Sequence, residues 1–539
     1  MKKMNRPLTK NDIIELARKK GIKLHDDHPV PTTRREFLAQ GLMGFAGYMM
    51  APSLIHMLST QAHAQSVEEC TTLLTPARTM PGFLHLNLGG GAGITGQWAV
   101  RKLADPNRPL ATRNNEDNLI YINRYRALGL GENSAAFTVN KSQFANPFEV
   151  VNNDGDVGAQ MFRRMLEVAG TACANTSATG VCVASQDDTS SNNKLGPQGL
   201  IHAVQKAKEV KFRIAQNLSN RSGTALTGVD QDVAGRNRPY APIVANQLND
   251  ILRVIGQAPT SETEAGSNVV LTDAEKKRML EVINNLSGSQ ARKVASVGSA
   301  TRENFVKLYQ EASGKSYCQL IVPQDSVDPY ANTDIASLWQ TQIQGNFSAL
   351  SNDAERVKGI ASLVFAAVNG WAGTVGIDLG GYDYHGNNRN NTDPRDGDAG
   401  YILAGALRTA EILQKPLFIV VTSDGATGAA SSANRFANWA SDRGNGGCIL
   451  SFMYDPRNAA GQSKEGYLAN IDTQLGHYTD GQSADDNTLV GNPERATIAV
   501  IHRYLAFSEF NDWKTITQAI DDRSAFTNEE LQYIAKFGG

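Results

Sequence analysis

The sequence predicts an α/β fold: a mainly parallel sheet with helices on both faces. Three observations carry that expectation. Short apolar runs recur along the chain, and each ends in a Gly-, Asp- or Asn-rich loop. Helix-periodic segments stand between these runs, and strand–helix–strand alternation implies right-handed crossovers between parallel strands. The run Leu417-Phe418-Ile419-Val420-Val421 is apolar without alternation, as a strand covered on both faces should be.

The elements follow in order. Residues 83–88 form a strand that enters Gly89-Gly90-Gly91-Ala92-Gly93, and residues 181–184 form another that enters the polar stretch 185–193. A helix is expected over about 197–210. The stretch 195–315 has a different texture and reads as a mostly helical insertion or cap. It contains Thr272-x-x-Glu275, a capping box opening a helix through Leu286, and a further helix near 302–312. Then come a helix over 353–368, a strand over 374–379 and the loop Gly380-Gly381-Tyr382-Asp383-Tyr384-His385-Gly386. A helix over about 399–414 leads to the strand 416–422, which ends at Ser423-Asp424-Gly425. Helices over 493–505 and 528–537 close the chain.

With 539 residues, 41% hydrophobic and 20% charged, the composition is globular and supports one large α/β unit over 65–539. Disordered and collagen-like classes are excluded. Lys and Arg number 52 against 54 Asp and Glu, net −2, so no global basic field for nucleic acid exists. Five cysteines exclude a disulfide-dense scaffold. Cys173 and Cys182 are nine apart across a small polar stretch and could close a hairpin-like loop. No Cys-x-x-Cys or Cys/His metal spacing appears, so the cysteines read as structural or inert.

Residues 1–64 read as a targeting region. Thr32-Thr33-Arg34-Arg35-Glu36-Phe37-Leu38 has the pattern of a twin-arginine export signal, with Arg34 and Arg35 as the paired arginines. A moderately apolar stretch 41–58 and Ala62-His63-Ala64, with small residues at both cleavage positions, follow in the right order. The expected partner is the twin-arginine export machinery, the destination is periplasmic or secreted, and the inner membrane is met only through this segment. A retained membrane anchor is the alternative, since about 18 residues just suffice to span. Without residues 1–64 the chain has 42 basic and 49 acidic residues, net −7, which again points away from nucleic acid.

In an open parallel sheet, ligands bind outside the carboxyl ends of the strands. That rim would gather Asp187, Asp188, Asp383, His385, Asp424 and the glycine loop with Gly91 and Gly93. Carboxylates and an imidazole converging there could hold a divalent metal, which would lower the pKa of water or polarise a phosphoryl or sulfuryl oxygen. Each piece has a plainer reading beside it. Asp383-x-His385 could be a turn aspartate and a solvated histidine, Asp424 a helix cap, and Asp187-Asp188 an exposed loop. Asp393, Asp396 and Asp398 could coordinate Ca²⁺, but they lack the spacing of a calcium loop, which favours a solvated turn. His477 and His502 have weak claims, and His502 on an apolar helix face reads as a core histidine. Gly91-Ala92-Gly93-Ile94-Thr95-Gly96 matches the dinucleotide-binding pattern. The acid that should end a strand about 20 residues on is absent, because Glu116 and Asp117 precede their apolar run. A tight turn that keeps the crevice open fits better. No Gly-x-Ser-x-Gly elbow points to acyl transfer.

Across roughly residues 80–510 the chain resembles domain-of-unknown-function family 1501, exported bacterial proteins related to the alkaline phosphatase and sulfatase superfamily. The twin-arginine signal, the strand into the glycine loop at Leu86 to Gly93, Tyr382-Asp383-Tyr384-His385 and Val420-Val421-Thr422-Ser423-Asp424-Gly425 are similar to that family's elements. The first-loop aspartate is replaced, with Gly93 near its place. The arginine after the Ser-acid-Gly element is missing, and an Asp-His-Trp element is not recognisable around Asn438-Trp439-Ala440. The resemblance implies an alkaline-phosphatase-like fold and a metal-dependent hydrolase of phosphate or sulfate esters. Asp383, His385 and Asp424 would be ligands to Zn, Mn, Ca or Mg, and Thr95, on position alone, the nucleophile. The alternative is a degenerate, non-catalytic binding or cell-surface assembly protein on the same fold.

Overall fold

The computed structural model describes residues 80–94, 97, 160–184, 197–198, 201, 214–221, 242–254, 327–423, 425–426, 446–459, 474–476, 484, 488, 491, 493–508 and 526–527. All belong to one compact unit, 74–260 with 322–539; the other unit is 1–73 with 261–321. The expected export signal with Arg34 and Arg35, the expected capping box at Thr272, the helices expected at 302–312 and 528–537, Thr95, Asp187, Asp188, Asp424 and His477 lie outside the described residues.

Eight strands form one sheet: β1 (Gly82–Leu88), β2 (Thr176–Ala184), β3 (Ala215–Ser219), β4 (Ile243–Val244), β5 (Ala372–Leu379), β6 (Leu417–Thr422), β7 (Gly446–Tyr454) and β8 (Gln474–Leu475). Their order is β4-β3-β5-β1-β6-β7-β2-β8. Neighbours from β4 through β6 are parallel, β7 is antiparallel to both β6 and β2, and β8 is parallel to β2. Seven strands therefore point one way and β7 runs against them. The mainly parallel character matches the expectation. The reversed strand does not, and it lets β6 and β2 share a sheet without a crossover between neighbours. Two strands, β3 and β4, arise inside 195–315, where a mostly helical insertion was expected; α2 (Leu248–Val254) also lies there.

The helices cover both faces, and two of them, α3 (Thr333–Ser337) and α6 (Pro456–Ala459), are short. α4 (Ala354–Val368) opens on Asp353, whose carboxylate accepts from the amides of Glu355 and Arg356, and it is apolar on nearly every side. It lies on the face of Gly82, where an added Cβ would stand 2.2 Å from the Ala367 carbonyl oxygen. The helix α1 (Gln160–Ala174) covers the same face through Phe162, whose ring meets Phe452 of β7. The long helix α5 (Arg389–Leu413) packs against α1; at Gly400 a Cβ would stand 2.3 Å from the Met161 carbonyl oxygen. The opposite face holds Phe83, Val181, Val183, Phe418, Val420, Ile449 and Met453 under α7 (Pro493–Phe507), with Tyr504 edge-on to Phe83. His502 sits in α7 buried, its ring against Phe526, as a core histidine should.

The Cys173–Cys182 bridge does not form. Neither cysteine is in a disulfide, and both are buried. The intervening residues are no hairpin: Cys173 ends α1, and Cys182 lies six residues into the extended strand that begins at Thr176, about 20 Å along it. Cys182 instead stands opposite Cys448 across the β2–β7 ladder, and Cys448 is in no disulfide either.

Candidate functional site

Because β3, β5, β1 and β6 are consecutive and parallel, their carboxyl ends share one rim. The glycine loop after β1 and the loop after β5 are tied together there. Gly89 donates to the Leu379 carbonyl, and the Tyr382 amide donates to the Gly89 carbonyl. Gly90 has φ +120°, and a Cβ on it would stand 2.7 Å from the Asp383 nitrogen. Gly91 also lies in the left-handed region, at φ +106°. Ser423, at the end of β6, fixes the loop from the other side: its hydroxyl donates to the Leu88 carbonyl at 2.6 Å and accepts from the Ala92 amide at 2.8 Å. Gly91 and Gly93 are buried in this packing, which bears out a tight turn.

Asp383 and His385 stand on the β5 loop, both about half exposed, with His385 Nδ1 in direct contact with Asp383 Oδ1. Backbone and tyrosine contacts hold the loop that carries them. Asn387 donates to the Asp383 carbonyl, Tyr382 donates its hydroxyl to the Arg395 carbonyl, and Tyr384 donates to Asp396 Oδ1 at 2.8 Å. Burial pushes both tyrosine hydroxyls well above their ordinary range, with the neighbouring Asp396 adding to it.

The three acids weighed as Ca²⁺ ligands or a solvated turn lie instead in the helix α5, and two of them are buried and used otherwise. Asp396 is buried and accepts from Tyr384 and from Gln97. Asp398 is fully buried and accepts three backbone amides, of Ser348, Ala349 and Leu350. Burial raises its pKa above the usual carboxylate value, while those three amides and Arg395 pull it down.

Beneath the rim runs a chain of polar side chains that sequence reasoning missed. His85 and Asn87 alternate on the α7 face of an otherwise apolar β1, in register with Val420 and Thr422 of β6; Asn87 also pairs with Asp378 of β5. Thr422 Oγ1 donates to Asn87 Oδ1 at 3.0 Å, so it accepts from His85 Nε2 at 2.7 Å. Asn87 Nδ2 donates to Asp378 Oδ1 at 2.9 Å, and Arg221 Nη1 to Asp378 Oδ2 at 3.0 Å. Every hydrogen bond points toward Asp378, an arrangement in which each polarises the next. The signal was available: polar residues in strands buried on both faces need partners, and β1, β5 and β6 each carry one near the carboxyl end.

Of the expected site residues, Asp383 and His385 are brought together and Gly91 and Gly93 shape the adjoining turn. Thr95, Asp187, Asp188 and Asp424 lie outside the described residues, between or beside segments that are described. Among the described residues no group of three or more His, Cys, Asp or Glu side chains converges as a metal site, and no helix is long and apolar enough to cross a membrane. No family model, curated protein or solved structure matches the chain.

Proposed function

We propose that this chain is an exported hydrolase of phosphate or sulfate esters working at the carboxyl rim of its sheet, a divergent relative of family 1501 with an alkaline-phosphatase-like fold. The observation that carries the reading is topological. β5 and β6 flank β1, so the loop bearing Asp383 and His385 and the turn at Ser423, next to Asp424, leave strands only about 10 Å apart. Asp383, His385 and Asp424 would hold a divalent cation, Zn, Mn, Ca or Mg. The described pair fits such a role: the Asp383 carboxylate against Nδ1 fixes the imidazole ring, as acidic partners orient ligating histidines. When bound, the cation lowers the pKa of water and neutralises charge on the ester. Thr95 is the position-based choice of nucleophile, and Arg34 and Arg35 address the chain to the twin-arginine machinery.

The test is a screen of phosphomonoesters, phosphodiesters and sulfate esters with added divalent ions, run with wild type, Asp383→Ala and His385→Ala. Cleavage that needs a divalent ion and is lost in both variants supports the reading. Cleavage in none of the conditions overturns it. A second reading, a non-catalytic binding or surface-assembly protein on the same rim, is favoured by the departures from the family's elements, with Gly93 near the place of the first-loop aspartate and the arginine after Ser423-Asp424-Gly425 missing. Under it, metal content of the folded protein is unchanged by Asp383→Ala.

A further inference from the structure

We propose that Arg221 and Arg395 form an oxyanion subsite on this rim, which takes the phosphate or sulfate group of the ligand. The inference deepens the functional reading above by assigning the residues that recognise the anion, and it needs neither a metal nor catalysis to be tested.

Arg221 follows β3 and its side chain is 61% exposed, while its partner Asp378 is 12% exposed. One Nη1 donor is spent on Asp378 Oδ2, whose other oxygen is occupied by Asn87. A guanidinium has five N–H donors, so the rest of the fork remains at the surface. Arg395 arrives from the other side, on α5. Its backbone carbonyl is clamped by the Tyr382 hydroxyl at 2.7 Å. Among the described residues, its guanidinium meets Asp398 and the two buried tyrosines through space and not by a hydrogen bond or ion pair.

Both groups come against the Gly380-Gly381 turn that leads into Asp383 and His385. A Cβ on Gly380 would stand 3.4 Å from Arg221 Nη1; one on Gly381 would stand 2.8 Å from Arg395 Nη1 and 3.4 Å from its Cζ. Gly381 has φ +90°, a conformation that disfavours any side chain. The two guanidinium groups thus stand against adjacent residues of one short turn, whose α-carbons are about 3.8 Å apart. Planar forks match tetrahedral oxyanions in bidentate fashion, and two of them beside an aspartate–histidine pair place the anion next to the reactive loop.

Calorimetric titration of the full chain with inorganic phosphate and with sulfate, in low salt and excess chelator, tests this. Wild type should bind at one saturable site. Arg221→Gln and Arg395→Gln should each weaken binding about tenfold or more, and Arg395→Lys should restore part of it. Gly381→Ala, which keeps both arginines but fills the space between turn and fork, should weaken it too. Arg163→Gln, at a half-buried arginine of α1 paired with Glu167, should change nothing. Circular dichroism of each variant checks folding; if Arg395→Gln is unfolded, the exposed Arg221→Gln decides alone. Absence of saturable binding by wild type, or unchanged binding by folded Arg221→Gln, overturns the proposal. Oxyanion binding without ester cleavage keeps the subsite and removes the hydrolase. Cleavage indifferent to both arginines does the reverse.

Discussion

Thr422→Val isolates the buried polar chain with the least change of shape. Thr422 is fully buried, and its hydroxyl links His85 Nε2 at 2.7 Å with Asn87 Oδ1 at 3.0 Å. Valine is nearly isosteric, so no cavity opens and the sheet register is kept. What is lost is one acceptor for the imidazole N–H and one donor for the amide oxygen. A buried polar group deprived of a partner costs about 1–3 kcal/mol, so the two together should cost about 2–6 kcal/mol. Against a total stability of about 5–15 kcal/mol that is a large fraction. Urea unfolding at constant m measures it. Ser362→Ala is the reference: it removes one local hydrogen bond, to the Lys358 carbonyl in the same helix, and should cost only about 0.5–1.5 kcal/mol. A cycle with Asn87→Leu should show coupling of about 0.5 kcal/mol or more, because the residues share a bond. A Thr422→Val variant within about 0.5 kcal/mol of wild type would refute the reasoning, since the chain would then carry no energy through its central link.

Other expectations follow from single positions. Gly82→Ala puts a Cβ 2.2 Å from the Ala367 carbonyl oxygen, which is backbone and cannot rotate away; thermal unfolding should show a loss of about 3 kcal/mol. Burial pushes the Cys173 thiol up to about 12 and raises Cys448 as well, so neither should react with iodoacetamide at pH 8 until the chain is denatured; mass spectrometry of native and denatured samples decides. Asp398→Asn turns an amide N–H₂ toward one of three backbone donors and should cost about 1–3 kcal/mol at pH 7. Because Asp398 binds its proton more tightly folded than unfolded, its proton-linked stability is full below the ordinary carboxylate value of 3.8 and is lost as pH rises through the native value. The wild type's advantage over Asp398→Asn in urea unfolding should therefore shrink from pH 3 upward across that window.

The sheet was legible wherever one local signal sufficed. The helix expected over 353–368 is Ala354–Val368, and the strand expected over 416–422 is Leu417–Thr422, because unbroken apolarity and a capping aspartate are properties of neighbours in sequence. The turn after β1 was readable from its glycines, but the loop after β5 was only partly so: the acids at 393, 396 and 398, expected in a loop before a helix starting near 399, lie in α5, which begins at Arg389. What was not legible depends on register. His85, Asn87, Asp378 and Thr422 each look like a lone polar exception until the ladders align Asn87 with both Asp378 and Thr422. Cys182 finds its cross-strand neighbour in Cys448, far along the chain, and not in the nearby Cys173. The reversal of β7 has the same cause. Gly446–Tyr454 is not among the strands expected above, and nothing in those nine residues states which way it runs.

The direction of the buried hydrogen bonds bears on where chemistry is done. Asp378 receives Asn87 on one oxygen and Arg221 on the other, so its carboxylate is committed to holding strands β3, β5 and β1 in register at their carboxyl ends. His85 is committed likewise through Thr422. A carboxylate and an imidazole lie in the sheet itself, yet both are placed to fix geometry. The groups left at the surface are on the loops those ends present: Asp383 and His385, half exposed, and the outer donors of Arg221, with Arg395 of α5, partly buried, against the same turn. A rigid strand layer below and a charged loop layer above is the division of labour expected of a site on a parallel sheet. It follows that substitutions in the buried chain should move stability before ligand binding, that substitution of Arg221, which ends that chain at Asp378, should move both, and that substitution of Asp383 should move ligand binding and leave stability nearly unchanged.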